Sequence, residues 1–348
     1  MCIRDRNYDV SQELKKRYKK GTEFLGCDVP IMGGAMTWVS EKNLVSAISN
    51  AGGFGVIACG GMEKEDLKNE IIQTLEMTKK PFGVNLILMH PDIEELMDTC
   101  IETDIKYVVF AGGFPKKSQI EKLKKNEIKT LAFATTLTIA RKLIKNGIDA
   151  LIIEGNEAGG HVGPVSTNVL VQEILPFIED VPVFVAGGIG RGEVFLNYID
   201  LGASGCQIGT RFVCAKESIA HKNFKDVFIK SEARNAQVSI QLDERLPVIP
   251  VRGINNKASK IFIEKQKEVL DDLNKGEVSL KEAQLIIERF WSGSLKKAVI
   301  DGDIEYGSLM AGQSVSMVKD IQTAKEIIYE IIMQADIKLN KQIKSYNN

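Results

Sequence analysis

The hydrophobic positions fall into eight short, nearly continuous apolar runs, at 29–33, 55–58, 82–88, 107–111, 129–134, 150–154, 181–186 and 205–209. Unbroken apolar runs, as opposed to alternating ones, are what strands look like when both faces of a parallel sheet are buried. Pro30 is compatible with the first because it sits at a strand start. Between the runs the apolar spacing is helical. Ser40 can cap a helix whose Leu44, Val45, Ala47, Ile48 and Ala51 share a face, with Gly52 and Gly53 ending it. Leu67, Ile71 and Leu75 recur every fourth residue, and Pro91 opens a further helix at a favoured first-turn position. Repeated strand and helix units of this kind predict an α/β chain folded as a (β/α)8 barrel. A doubly wound open sheet would place its glycine-rich phosphate turn after an early strand. Here glycine signals of at least equal strength follow strands seven and eight, which favours the barrel.

The pattern breaks after Thr210. Residues 215–290 are charged and mostly helical in spacing, with helices expected at 258–274 and 279–290 and an apolar, proline-bearing link at 246–252. That is too long for an ordinary barrel connection and reads as a helical insertion covering the catalytic face. From Trp291 to Gln313 a glycine-rich loop is expected, and a helix from 323 to about 338 would close the barrel. The expected organisation is a basic leader (1–22, helical over 11–20), a barrel (23–214 and 291–340), an insertion or lid (215–290) and a tail (341–348). Residues 1–6 carry no fold information.

Composition narrows the function classes. Charged residues make up 26% of the 348 and the net charge is −1, so nothing points to nucleic acid or an anionic membrane. No apolar run approaches a membrane span, and no apolar segment follows the basic N-terminal residues as in a secretory signal. Cys2, Cys27, Cys59, Cys100, Cys206 and Cys214 have no zinc or redox spacing and read as reduced thiols in a cytoplasmic protein. No carboxylate or histidine spacing suggests a metal site.

Candidate chemistry concentrates after strand six, where Glu154 ends an apolar run and Gly155, Gly159, Gly160 and Gly163 surround His161. Histidine is the commonest general acid or base, and glycine lets backbone approach a ligand closely. The plainer alternative is a turn whose histidine only hydrogen-bonds nearby backbone. After strands seven and eight come Gly187-Gly188-Ile189-Gly190 and Gly209-Thr210-Arg211, backbone-rich turns suited to a phosphate at the C-terminal end of a barrel. Gly34, Ala35 and Met36 follow strand one, Asn85 lies in strand three, and Ala311-Gly312-Gln313 can reach back from the end of the chain. A planar cofactor with one phosphate fits, FMN before a dinucleotide. His90 and His221 read as capping or solvated residues, and Cys214 as a packed thiol with no base nearby.

The ordered set 30–36, Ser49 to Gly55, Gly83-Val84-Asn85, Glu157 to His161, 186–189 and Gly209 to Phe212 resembles the nitronate monooxygenase family, which also contains flavin-dependent enoyl-acyl-carrier-protein reductases. The likeness spans about 29–335. It implies an FMN-dependent barrel with His161 beside the flavin. Gly34, Ala35, Met36, Asn85 and 311–313 would lie near the ring, and Gly187, Gly188, Gly209 and Thr210 at the phosphate; Glu154, Gly159 and Gly160 join the cofactor set.

Three functions follow from this resemblance. The first is nitronate oxidation with dioxygen, with His161 as acid, base or cationic partner of the nitronate. The second is NAD(P)H-dependent reduction of an enoyl thioester, with Lys216, Lys222, Lys225 and Arg252 offered to an acidic acyl carrier protein, although a solvated helix face is the plainer reading of those lysines. The third is flavin binding without catalysis, against which His161 argues. Val162, after the histidine, is aliphatic as in the reductases, whereas 163–167 and the 246–252 link depart from them. The broader family places the nitronate reading first. A homodimer is compatible with all three.

Overall fold

The computed structural model describes residues 10–346 apart from 244 and 247–249. The 1–6 segment, Cys2 among it, lies outside the described residues, as do 247–249 of the proline-bearing link. Eight parallel strands form one sheet: β1 Ile31–Gly33, β2 Gly55–Ala58, β3 Phe82–Ile87, β4 Tyr107–Ala111, β5 Lys129–Phe133, β6 Ala150–Glu154, β7 Val183–Ala186 and β8 Gly205–Ile208. Each falls within its apolar run, shortened by at most two residues at an end. The order is β1-β8-β7-β6-β5-β4-β3-β2, with Ile31 opposite Cys206, and a bridge between Met32 and Phe54 joins the two ends. The sheet is therefore a closed barrel flanked by helices, an α/β architecture as the periodicity predicts.

Alternation along each strand sends every second side chain inward. The inward rows run Tyr107, Val109, Ala111 in β4 and Ala150, Ile152, Glu154 in β6. The lower members pack with Met32, Phe54, Leu131 and Phe184 into an apolar interior, and the upper members line a cavity. The basic leader is part of this core. Helices Gln12–Arg17 and Lys19–Leu25 bury Val10, Leu14, Tyr18 and Leu25, while their lysines face outward. Phe24 and Leu25 close the barrel floor, and the Tyr107 hydroxyl donates to the Phe24 carbonyl at 2.8 Å.

The segment after β8, expected to be a lid, contains three longer helices, Lys222–Lys230, Lys257–Lys275 and Leu280–Val299, and contributes Phe224, Pro250, Glu288 and Leu295 to the cavity wall. Its own core contains Phe262, Val269, Ala283, Ile287 and Trp291. Two expectations are corrected here. The loop expected from Trp291 does not begin there, because the helix continues to Val299 with Leu295, Ala298 and Val299 buried; a boundary at 290 falls inside it. The lid also contains strands the periodicity did not reveal. Ala236–Val238, Val251–Ile254 and Leu309–Met310 pair antiparallel, and Gly160–His161 joins them by pairing with Val251 and Arg252. The last helix, Ala324–Tyr346, outruns its expected end and takes in most of the 341–348 tail. Among the described residues no helix is long and apolar enough to cross a membrane.

Candidate active site

The C-terminal ends of the strands open into a cavity of 870 Å3 roofed by the lid. Its wall contains twelve of the fifteen residues singled out in the sequence: Gly34, Ala35, Met36, Asn85, Glu154, Gly159, Gly160, His161, Gly187, Gly188, Gly209 and Thr210. Ala311, Gly312 and Gln313 do not line it. The Gly312 N–H donates to Thr210 Oγ1 at 3.0 Å and the Gln313 N–H to the Glu157 carbonyl at 2.9 Å, so this loop braces the wall from behind. Its neighbours Met310 and Ser314 reach the cavity instead. Gly159 is glycine because of that bracing: a Cβ there would stand 2.6 Å from the Gly312 nitrogen.

One end of the cavity has the features of an anion cradle. Gly187 and Gly188 adopt φ of 93° and 72°, a left-handed backbone that β-carbons disfavour. Among the described residues the N–H groups of Gly188 and Gly209 have no protein acceptor, and the Thr210 hydroxyl, accepting from Gly312, still has its proton to donate. Backbone N–H groups without an acceptor at strand ends can receive an anion. Arg211 holds the cradle from below: it is buried, donates to the Gly190 carbonyl at 2.7 Å, and pairs with Glu330 of the last helix at 2.7 Å.

The walls contain three polar groups from the inward rows. The Asn85 amide donates to the Val109 carbonyl at 3.2 Å, which leaves its oxygen as an acceptor for a ring N–H. Gln207, buried in β8, stands in the same layer. It escaped the sequence reading although its place in the row Gly205, Gln207, Gly209 would have identified it. Glu154 has no hydrogen-bonding or ionic partner among the described residues, and burial pushes its carboxyl up to about 8. That direction favours the protonated, hydrogen-bond-donating form near pH 7.

His161 stands on the two-residue strand that the lid edge holds in place. Its Nε2 lies 3.3 Å from Glu288 Oε1 of the helix Leu280–Val299, with both side chains about a third exposed. The pairing of Gly160 with Arg252 is fixed by the Arg252 guanidinium, which donates to the carbonyls of Asn156 and Ala236, both at 2.6 Å. Glu288 gave no signal in the sequence, because only tertiary packing brings it to the histidine.

The remaining candidates separate by burial. Lys225 is buried and donates to the carbonyls of Ala215 and Ser218, and Arg252 is buried as described, so neither can meet a carrier protein; Lys216 and Lys222 are exposed. Burial pushes the Cys214 thiol up to about 12, which suits packing and not nucleophilic attack. His90 and His221 each accept from the backbone N–H two residues on, at 3.1 Å, as caps do.

The chain is similar to known proteins along most of its length. The family model described as nitronate monooxygenase matches residues 19–334. The solved structure of FabK from Thermotoga maritima is 34% identical, with a TM-score of 0.82 over 93% of this chain and 98% of that one. A Staphylococcus aureus protein named "Probable nitronate monooxygenase" is 30% identical over 90% of this chain and 96% of its own length. A Rhodococcus jostii protein named "(3aS,4S,5R,7aS)-5-hydroxy-7a-methyl-1-oxo-octahydro-1H-indene-4-carboxyl-CoA dehydrogenase" is 29% identical over 90% and 94%, respectively.

Proposed function

Because the chain belongs to the nitronate monooxygenase family of oxidoreductases, we propose that it is an FMN-dependent enzyme that reduces or oxidises the α,β-bond of an acyl thioester. One observation carries the choice of substrate. Among the described residues the cavity wall contains no lysine or arginine, and its ionisable groups are Glu154, His161 and Glu288. A nitronate anion would enter a site with two carboxyl groups and one imidazole already beside a carboxylate. Burying a charge without a free partner is costly, whereas a neutral thioester brings no such cost. The breadth of the family alone favours the opposite order. The Rhodococcus jostii relative's name, a carboxyl-CoA dehydrogenase, supports the thioester. The Staphylococcus aureus relative's name supports the nitronate, with His161 as its cation, and keeps that reading second.

The residues present fit FMN: Gly188, Gly209 and Thr210 offer donors for its phosphate, and Gly34, Asn85, Glu154 and Gln207 supply a close backbone surface and ring-edge partners. Bound there, FMN supplies hydride exchange with a nicotinamide and with the substrate β-carbon. The protein's own part is proton handling. His161 gives a proton to the α-carbon in reduction and removes it in oxidation, while the protonated Glu154 contributes a hydrogen bond without adding charge.

Anaerobic stopped-flow on the flavin-loaded protein tests this. Bleaching of the flavin by NADH or NADPH, then recovery on adding crotonyl thioester, is the expected result. Bleaching by a nitronate and by neither nicotinamide would establish the second reading instead, and a chain that cannot be reconstituted with flavin would eliminate both. His161→Ala should retain FMN and lose turnover by roughly 10²–10⁴-fold. Undiminished turnover would return the histidine to a structural role.

A further inference from the structure

The lid helix Leu280–Val299 presents one stripe to the barrel mouth, and each member of it makes a contact there. Glu288 meets His161, the Ser292 carbonyl accepts from Trp38 Nε1 at 3.2 Å, Leu295 lines the cavity, and Lys296 Nζ lies 4.9 Å from the Trp38 ring centre. Glu288, Ser292 and Lys296 recur every fourth residue and Leu295 lies three beyond Ser292, so the four share a helical face. Trp38 sits just beyond the Gly34 to Met36 loop with φ of 67°, a backbone that a bulky residue holds only where its surroundings enforce it. The helix is thus fixed against the loop after β1 at one point and against the histidine at another. Neither ring nitrogen of His161 makes a hydrogen bond among the described residues; Nε2 has the Glu288 carboxylate at ion-pair distance, 3.3 Å, and Nδ1 has no ionic partner.

We propose that Glu288 is a positioning residue for His161: it accepts the Nε2 proton, sets the imidazole tautomer, and leaves Nδ1 as the nitrogen that exchanges a proton with substrate. A carboxylate on the far nitrogen fixes both the orientation and the tautomer of a histidine. Because Glu288 belongs to the lid and the reacting groups to the barrel, seating of the lid completes the pair. The kinetic part of this inference rests on the oxidoreductase reading above; the spectroscopic part does not.

The full chain contains three histidines, so selective 15N-histidine labelling gives a spectrum that His161→Ala assigns by loss of one ring. At about pH 8.5, above the ordinary imidazole range, the flavin-loaded protein should show His161 as a single Nε2–H tautomer. Glu288→Ala should convert it to a mixture, and Glu288→Gln, which keeps an acceptor oxygen, should restore the single form. In turnover, Glu288→Ala should lower kcat about 10–100-fold, the range for removing such a partner, with KM within about twofold. The same change in a His161→Ala background should cost nothing further, since residues acting as a unit are non-additive. An unchanged tautomer in Glu288→Ala overturns the proposal whatever the substrate. So does a double variant slower than His161→Ala by the full single-variant factor. A wild-type protein inert toward thioester and nitronate alike defeats the functional reading, and the spectra then decide on Glu288 alone.

Discussion

The two ends of the barrel are built from the same strands and the same inward rows, yet they do opposite things. At the floor the rows begin with Phe54, Tyr107 and Phe184, closed by Phe24 and Leu25, and little but rings and methyl groups meets there. Two or four residues further along, the rows end in Gly34, Asn85, Glu154 and Gln207, and the space stays open. A closed barrel has a filled interior by default. The difference shows that this one keeps its stability at the bottom and gives up packing at the top, where small and polar residues make room for a ligand.

The largest test of that division lies at the floor. Phe184 is fully buried, and Phe184→Ala should cost about 3–5 kcal/mol, the range for emptying an aromatic site, read as a lower urea midpoint. Flavin affinity of the folded protein should stay within about twofold. A loss of flavin binding as large as the loss of stability would mean that the two ends are not separable.

A smaller effect is expected at the seam behind the cavity wall. Gly159→Ala puts a methyl group 2.6 Å from the Gly312 nitrogen and 2.7 Å from the Ala311 carbonyl carbon. Backbone cannot yield as a side chain can, so overpacking should cost about 1–3 kcal/mol. The floor variant's pattern should also be reversed, with the flavin dissociation constant rising about tenfold or more because Thr210 is tied to the same loop. Equilibrium titration with FMN measures it; an unaltered constant would detach 311–313 from cofactor binding.

What the sequence made legible follows the same division. Strands buried on both faces announce themselves as apolar runs, and glycine at strand ends announces a candidate site, so the barrel and the glycine-rich part of the cavity wall were readable. The plug was not. A run of lysines dominates the leader, and the buried Leu14, Tyr18 and Leu25 stand among them at intervals of four and seven, too few turns for a clear stripe. The lid strands have two to four residues each, which is too short for alternation to show. Glu288 and Trp38 belong to a third kind: their roles come from contacts across the fold, and neither has a local signature. Lys225, offered for docking, belongs with them, since it looks like any surface lysine until its helix is packed.

The most specific effect, and the one that grows with pH, concerns Glu154. Its carboxyl is the one member of the upper layer that could oppose its own surroundings. With a folded value pushed up to about 8, it binds its proton more tightly in the native state than in the unfolded chain. The sign follows. Its contribution is fully favourable below the ordinary carboxylate range and is lost as the pH rises through about 8, because the unfolded chain ionises first. Glu154→Gln mimics the protonated form and cannot ionise. In flavin-free protein, urea midpoints of the two should nearly coincide at about pH 5 and diverge toward about pH 8.5, with the glutamine variant the more stable. Parallel curves across that range would mean that water in the cavity solvates the carboxylate. The upper layer would then be an open, wet surface, and the contrast with the floor would be one of exposure and not of a dry pocket built to hold a neutral acid beside its ligand.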